Sequence, residues 1–270
     1  MTKLLGVIGD PIAHSLSPLI HNGWLRDMGF DAVYEAMQVP AGELSSALET
    51  LSQRDVLGVN VTLPHKTDAL AAAKVASDAA RKIGAANTLS FQADQTWSAT
   101  NTDAPGFLSA LGTFDQHTDS FVILGAGGSA RALVYALCQQ GANVVILNRT
   151  VEKAKSLADE LGNQTTVYAS IDQYADYIRH ASIVINTTSM GYSGQTLELE
   201  QGQGRLFFDI SYGKAASRSI AQADANGWRT LDGLTMLVAQ AALSFEIWFG
   251  ERPDLEAGLR RCRRALEAVS

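Results

Sequence analysis

Charge is scarce in this 270-residue chain: Asp, Glu, Lys and Arg make up 18%, against 46% hydrophobic residues. That balance argues against disorder and is ample for a core. Positive charge is the scarcer sign, with 21 Lys+Arg against 28 Asp+Glu, a net charge of −7 and a pI near 5.2. A general nucleic-acid or membrane surface is thereby excluded, and any anionic ligand must be held by local positive groups. The only cysteines, Cys138 and Cys262, make no disulfide framework or metal-ligand pattern. Cys138 falls on the apolar face of an expected helix and reads as a buried thiol. No apolar run is long enough to span a bilayer, and the N-terminus lacks a signal-peptide hydrophobic region. A cytoplasmic protein, soluble and reduced, is expected, without internal repeats or low-complexity segments. The length suits two domains.

What is present centres on residues 121–131. Phe121–Leu124 reads as a buried parallel strand, which breaks into glycines and then into a helical pattern at Ala130, Leu133, Val134 and Leu137. Gly125, Gly127 and Ala130 fit the G-x-G-x-x-A form of the dinucleotide fingerprint. Gly125 permits a tight turn, Gly127 lets a pyrophosphate approach the backbone, and Ala130 lets helix and strand pack closely. The free N–H groups at the helix start then face the phosphates. The next strand, Asn143–Leu147, ends in Asn148-Arg149-Thr150, with Lys153 soon after. An NAD site carries an acidic residue about 20 positions beyond the glycines. Asparagine and arginine stand here instead, so a 2′-phosphate is preferred and NADP is the expected cofactor. The bland alternative is an arginine on a solvated helix start.

Before this unit, strands are expected at Leu4–Ile8, Ala32–Gln38 and Gly58–Pro64, at Leu89 and at Thr96–Thr100. Helices are expected at Leu19–Met28, Ala41–Gln53 and Thr67–Ala80. Ser17 is the expected N-cap, with Pro18 at the first helical position. Ser15 and Ser17 can hold a carboxylate or can simply cap. His14 and His21 are not at metal-ligand spacing and read as structural or surface. Lys66 follows a strand end, where open α/β sheets bind ligands. Asn87 is a turn residue or a ligand group, and Asp103 is an N-cap by its usual job. After the fingerprint, strands are expected at Ala181–Asn186, ending in Thr188-Ser189, at Leu206–Ile210, and at Thr230–Gly233. An apolar helix over Leu234–Phe249 carries Gln240, which is either a satisfied core glutamine or a group reaching a ligand. The last helix, from Pro253, presents Arg260, Arg261, Arg263 and Arg264 on a basic, solvated face.

Several separated stretches together resemble the shikimate dehydrogenase family. They are residues 9–18 (GDPIAHSLSP), 60–66 (NVTLPHK), 84–89 (GAANTL), 101–103 (NTD), 125–130 (GAGGSA), 148–150 (NRT) and 232–240 (DGLTMLVAQ). The family reduces 3-dehydroshikimate to shikimate with NADPH, on the route to chorismate and the aromatic amino acids. The resemblance implies a hydride transferred to the C3 carbonyl and Lys66 with Asp103 as the catalytic pair. It implies Ser15 and Ser17, helped by Tyr212, on the substrate carboxylate, and Thr62, Asn87 and Gln240 on ring hydroxyls. Gly125, Ala126, Gly127, Gly128, Ser129 and Ala130 would hold the pyrophosphate. Asn148, Arg149, Thr150 and Lys153 would hold the adenosine end. Thr188, Ser189, Ile210 and Gly233 would line the nicotinamide, and Asp78 aligns with a cofactor-side position. No residue is assigned to a metal.

The implied architecture is α/β: a substrate domain of residues 1–102, completed by helices in 233–270, and a Rossmann-like NADP domain of residues 103–232. Three positions depart from the family pattern. His65 stands where an aromatic residue is frequent, Lys153 where arginine is frequent, and Ile210 where methionine is common. The implied partners are small molecules only, with the chain a monomer or a homodimer. An NAD-dependent quinate/shikimate dehydrogenase is disfavoured by Asn148-Arg149, and a silent NADP- and shikimate-binding sensor by the intact Lys66 and Asp103.

Overall fold

The computed structural model describes residues 2–268. In chain order the elements are β1 (Lys3–Gly9), α1 (Ser17–Met28), β2 (Ala32–Gln38), α2 (Leu44–Ser52), β3 (Val56–Val61), α3 (Lys66–Ala72), β4 (Val75–Ala76), α4 (Asp78–Ile83), β5 (Thr88–Phe91), β6 (Trp97–Thr100) and α5 (Asp103–Leu111). They continue with β7 (Ser120–Leu124), α6 (Gly128–Gln139), β8 (Asn143–Asn148), α7 (Val151–Leu161), β9 (Val167–Ser170), α8 (Tyr174–Ile178), β10 (Ile183–Asn186), β11 (Leu206–Asp209), α9 (Lys214–Ala225), β12 (Arg229–Asp232), α10 (Leu234–Phe249) and α11 (Leu255–Glu267). By internal contacts the chain divides into two units, one of residues 1–106 with 237–270, the other of residues 107–236.

The first unit is built on a mixed sheet in the order β2-β1-β3-β5-β6-β4. β1 runs parallel to β2 and β3, while β5 is antiparallel to both β3 and β6. The alanine-rich stretch expected as one helix over Thr67–Ala80 is instead α3, β4 and α4. Backbone hydrogen bonds divert it: Lys74 N–H donates to Trp97 C=O (2.9 Å) and Ser77 N–H to Ala99 C=O (2.9 Å). Ser77 then caps α4 by accepting from Ala80 N–H. Most of α10 and all of α11 belong to this unit. Trp24 Nε1 donates to Asp254 C=O (2.8 Å), and Trp248 Nε1 to Leu89 C=O (3.2 Å). Arg261 pairs with Asp27 of α1 and is only part-exposed, which corrects the expectation of a wholly solvated basic face.

The second unit carries one parallel sheet in the order β12-β11-β10-β7-β8-β9, the doubly wound order of dinucleotide-binding folds. Its strands are short apolar runs, and β7 and β10 are almost wholly buried, as helix-covered parallel strands must be. Two of its elements leave little trace in sequence. β9 is an edge strand with two exposed residues, Val167 and Tyr168. α9 buries the small residues Ala216, Ser219 and Ala223, so it lacks a stripe of large apolar side chains. Among the described residues no helix is long and apolar enough to cross a membrane.

His21 of α1 lies in the first unit's aromatic core. It is 1% exposed and stacks on Tyr34 at 4.1 Å, with Trp24, Phe245 and Trp248 around it. Neither ring nitrogen has a hydrogen-bond partner, and burial lowers its pKa from 6.5 to about 3. The unfolded chain therefore takes up this proton at a higher pH than the folded one. The contribution to stability is full above pH 6.5 and is lost as the pH falls towards 3, at about 1.4 kcal/mol per pH unit. In urea denaturation across this window, His21→Phe should flatten the dependence of stability on pH by about one proton. An unchanged slope would mean that His21 does not drive acid unfolding.

Candidate active site

The loop after β1 delivers two serines. Ser17 is the first residue of α1 rather than its cap; the cap position is Leu16, which has no side chain able to accept. Ser15 Oγ instead accepts from Ser17 N–H at 3.3 Å. The turn is thus closed by Ser15, and Ser17 is 4% exposed. Pro18 sits in the first turn, where its missing N–H costs nothing.

Lys66 opens α3 just past the end of β3, and Asp103 opens α5 just past β6. Lys66 Nζ donates to Asp103 Oδ2 at 2.7 Å, with only 12% and 7% of the two side chains exposed. Asp103 is not the N-cap. Asn101 Oδ1 accepts from Asp103 N–H (3.1 Å) and Ala104 N–H (3.3 Å), which leaves the Asp103 carboxylate for other partners. Its second oxygen accepts from Asn87 Nδ2 at 2.9 Å. Asn87 Oδ1 accepts from Thr102 N–H at 2.7 Å, and because a backbone N–H can only donate, this contact fixes the amide's orientation. Asn87 Nδ2 also lies 2.9 Å from Thr102 Oγ1 and 3.1 Å from Gln240 Oε1. Gln240 is anchored through Nε2 to Leu237 C=O at 2.9 Å. Its close approach to α5 needs Gly106, where a Cβ would meet Gln240 Cβ at 2.8 Å.

Thr62 follows β3, half-buried, with its N–H on Ile8 C=O at 2.8 Å. His65 is fully buried with Nε2 2.7 Å from Val39 C=O, so it is a core residue at the place where the family favours an aromatic ring. A charged lysine–aspartate pair with little access to solvent, flanked by amides and hydroxyls, is an arrangement that can pass a proton to a polar ligand.

In the second unit the fingerprint forms the turn between β7 and α6. Gly125 has φ 111°, in the region that favours glycine, and its N–H donates to Leu147 C=O at 2.7 Å. Gly127 is the N-cap of α6, and no side chain caps that helix end. A Cβ on Gly127 would meet nothing within 4 Å, so protein packing does not demand glycine there. The bare helix start fits an anion held against the backbone. Ala130 is fully buried against the strand.

At the end of β8, Asn148 Nδ2 donates to Thr150 C=O at 2.8 Å, closing the turn that presents Arg149. Arg149, Thr150 and Lys153 are exposed, and neither cation is in an ion pair among the described residues. Thr188 is held by Asn186 Oδ1, which accepts from its N–H (3.1 Å) and hydroxyl (2.7 Å). Ser189 precedes a 3₁₀ turn over Met190–Ser193. Gly233 packs on the Ile210 backbone, where a Cβ would meet the Ile210 carbonyl oxygen at 1.8 Å.

The first unit therefore carries Ser15, Ser17, Thr62, Lys66, Asn87, Asp103 and Gln240, and joins Lys66, Asn87, Asp103 and Gln240 by direct contacts, whereas Tyr212 lies in the second, half-buried in the loop after β11. Asp78 lies in α4 of the first unit, with its exposed carboxylate paired to Arg81. Sequence reasoning missed Asn60, Thr88, Thr102 and Ser244, all buried and hydrogen-bonded to one another or to Asn87. It also missed Asp209. That carboxylate is fully buried at the end of β11 and accepts from Asn186 Nδ2 (2.9 Å), Ser211 N–H (2.9 Å) and Ser219 Oγ (2.6 Å). A polar residue at an inward position of an otherwise apolar strand was the available signal.

Three family models match the chain. Residues 7–89 match the shikimate dehydrogenase substrate binding domain, residues 109–237 the shikimate / quinate 5-dehydrogenase model, and residues 233–263 the shikimate 5′-dehydrogenase C-terminal domain. The NADP(+)-dependent shikimate dehydrogenase of Hyphomonas neptunium is 50% identical over 100% of both chains. That of a Jannaschia species is 40% identical over 95% of each. Among solved structures, shikimate dehydrogenase from Aquifex aeolicus superposes with a TM-score of 0.88 at 34% identity, covering 97% of this chain and 98% of that one. Shikimate 5-dehydrogenase from Thermus thermophilus, in complex with NADP(H) and shikimate, superposes with a TM-score of 0.85 at 34% identity, covering 98% and 100%.

The open space over Gly127 yields a direct test. Gly127→Val should leave the thermal midpoint near that of the parent, because a Cβ there meets no protein atom within 4 Å, and should weaken dinucleotide binding at least tenfold by isothermal titration calorimetry. Retained affinity would remove the glycine turn from the binding site.

Proposed function

The chain belongs to the shikimate dehydrogenase family and interconverts 3-dehydroshikimate and shikimate with NADP in aromatic amino acid biosynthesis, and we propose that Lys66 and Asp103 are its acid–base pair. The observation that carries the assignment is the 2.7 Å ion pair of two charges that are both nearly buried. When bound, NADPH supplies the hydride that reduces the ring carbonyl. As that carbon is reduced, its oxygen gains negative charge, and Lys66 Nζ donates the proton that neutralises it. Asp103 keeps the ammonium aimed and shares its proton; Asn87 and Asn101 fix Asp103 in turn.

Ser15 and Ser17 bind the substrate carboxylate. Thr62, Asn87 and Gln240 bind ring hydroxyls. Residues 125–130 hold the pyrophosphate, supported by the uncapped start of α6. Asn148, Arg149, Thr150 and Lys153 hold the 2′-phosphorylated adenosine. Thr188, Ser189, Ile210 and Gly233 line the nicotinamide. Asp78 is the weakest of the cofactor-side assignments, since its carboxylate is taken up by Arg81. The same reading places the protein in the cytoplasm with small-molecule partners only, in keeping with its net charge of −7.

Two substitutions test the assignments, with oxidation of shikimate followed by nicotinamide absorbance. Lys66→Ala should cut kcat by about 10²–10⁴ and raise the shikimate KM far less; near-normal turnover would refute the acid–base role. Arg149→Ala should raise the KM for NADP by about tenfold or more while activity with NAD stays as it was. Equal loss with both cofactors would sink the 2′-phosphate assignment.

A further inference from the structure

From the hydrogen bonds of the second unit we infer that Asp209 is a positioning residue for the hydride step: its buried carboxylate holds the two loops proposed to line the nicotinamide, those after β10 and β11, in one arrangement. This rests on the functional reading above. Asp209 ends β11, is fully buried, and belongs to none of the ion pairs among the described residues. Donors from three places hold it instead. Asn186 Nδ2, at the end of β10, donates to Asp209 Oδ2 at 2.9 Å. Ser219 Oγ of α9 donates to the same oxygen at 2.6 Å, the short distance of a hydroxyl on a carboxylate. Ser211 N–H donates to Oδ1 at 2.9 Å.

Two of these donors lead on to proposed nicotinamide contacts. Asn186 Oδ1 accepts from Thr188 N–H (3.1 Å) and from the Thr188 hydroxyl (2.7 Å). A backbone N–H can only donate, so the Asn186 amide is set with Nδ2 towards Asp209. Thr188 Oγ1 in turn accepts from Met190 N–H at 3.4 Å, which ties down the far side of the Thr188-Ser189 loop. Ile210 lies between Asp209 and Ser211, and its N–H donates to Asn186 C=O at 3.0 Å. Ser211 C=O accepts from Gly233 N–H at 2.8 Å. Thr188 through Asn186, and Gly233 through Ser211, thus hang from the same carboxylate that Ile210 adjoins.

Packing alone does not call for an acid at this place. The two strand residues before it, Phe207 and Phe208, are buried and apolar, and a buried carboxylate must recover its lost hydration from the donors around it. What the carboxylate adds is a shared anchor for two loops that no backbone ladder holds. The turns proposed for the other half of the dinucleotide are held separately. Gly125 N–H donates to Leu147 C=O (2.7 Å), and Asn148 Nδ2 donates to Thr150 C=O (2.8 Å). A change at Asp209 therefore acts on the nicotinamide half and leaves the adenosine half as it was.

Kinetics and binding on the full-length protein test this. Asp209→Asn turns an amide N–H towards a donor and should lower kcat for shikimate oxidation with NADP by about tenfold or more. The Kd for 2′,5′-ADP, which carries the adenosine end and no nicotinamide, should stay at the parent's value by isothermal titration calorimetry. Combining Asp209→Asn with Asn186→Asp should restore most of the lost kcat. In that exchange the new carboxylate at 186 accepts from Thr188 and from the new amide at 209, whose oxygen still accepts from Ser211 N–H. Ser219 is then free to donate to Ala216 C=O, 2.9 Å away. A parental kcat in Asp209→Asn, a loss that the exchange does not restore, or an affinity for 2′,5′-ADP that falls together with kcat would each overturn the inference. Should Asp209→Asn fail to fold, Ser219→Ala, which withdraws one donor, decides: a lower kcat with unchanged 2′,5′-ADP affinity supports the anchor, and a parental kcat overturns it. A parent protein that does not oxidise shikimate would instead refute the functional reading on which the inference rests.

Discussion

The first unit depends on keeping two opposite charges in contact where water hardly reaches. Lys66 and Asp103 are 12% and 7% exposed. Desolvation costs each of them several kcal/mol unless the partner and further donors replace the lost water. Asn87, in the turn before β5, supplies such a donor to Asp103 through Nδ2, while two acceptors hold the arrangement in place: Asn101 Oδ1 takes the N–H of Asp103 at the α5 start, and Gln240 Oε1 of α10 lies 3.1 Å from Asn87 Nδ2. Deleting one partner of such a pair costs about 3–5 kcal/mol, because the other charge is left uncompensated. In the proposed mechanism the requirements of stability and of proton transfer converge on the same few atoms, so the kcat of Lys66→Ala is to be read on protein shown to be folded.

The two units solve their binding problems with different materials. In the second, the groups proposed to hold the cofactor are backbone: a left-handed Gly125, an uncapped α6, and a bare Gly127. Backbone geometry is dictated by a short run of residues, so it leaves a compact sequence signature. In the first, the decisive groups are side chains delivered from β1 to α10 by a mixed sheet. Their meeting depends on strand order and register, which no local pattern encodes. Asn60, for example, reaches Ser244, 184 residues away.

This difference decides what was legible beforehand. β2 and α10 were read residue for residue, since one is bounded by clear turns and the other is a long apolar helix. The glycine turn and the arginine after β8 were equally plain. By contrast Ser17 and Asp103 were both read as caps, because Ser-Pro and Asn-Thr-Asp look the same whether a residue caps its own helix or is released by a neighbour that does. In the structure Leu16 takes the cap position of α1, with Ser15 closing the turn before it, and Asn101 accepts from the N–H groups that open α5. Thr88 and Ser244 passed as ordinary strand and helix residues, as single hydroxyls carry no signature until their partners are known. The broken helix at 67–80 follows the same rule: Ser77 capped a second helix, but the pull of β6 on residues 74–77 is a tertiary fact.

The charge distribution completes the argument. An acidic chain has to hold a polyanionic cofactor, so its scarce cations must be kept from its own carboxylates where they are needed. Three other cations of the second unit are paired with carboxylates: Lys155 with Asp159, Arg131 with Glu160, and Arg179 with Glu200, whereas Arg205 and Arg218 donate to backbone carbonyls. Arg149 and Lys153 are exposed at the end of β8 and the start of α7 without such a partner among the described residues. Asn148 stands where an acidic residue would neutralise them and spends its amide on the turn. An unpaired arginine on an anionic surface loses the screening its neighbours enjoy, and a doubly charged phosphate restores it. In the assignment proposed above, preference for a phosphorylated ribose follows as much from the carboxylate that is missing at position 148 as from the guanidinium present at 149.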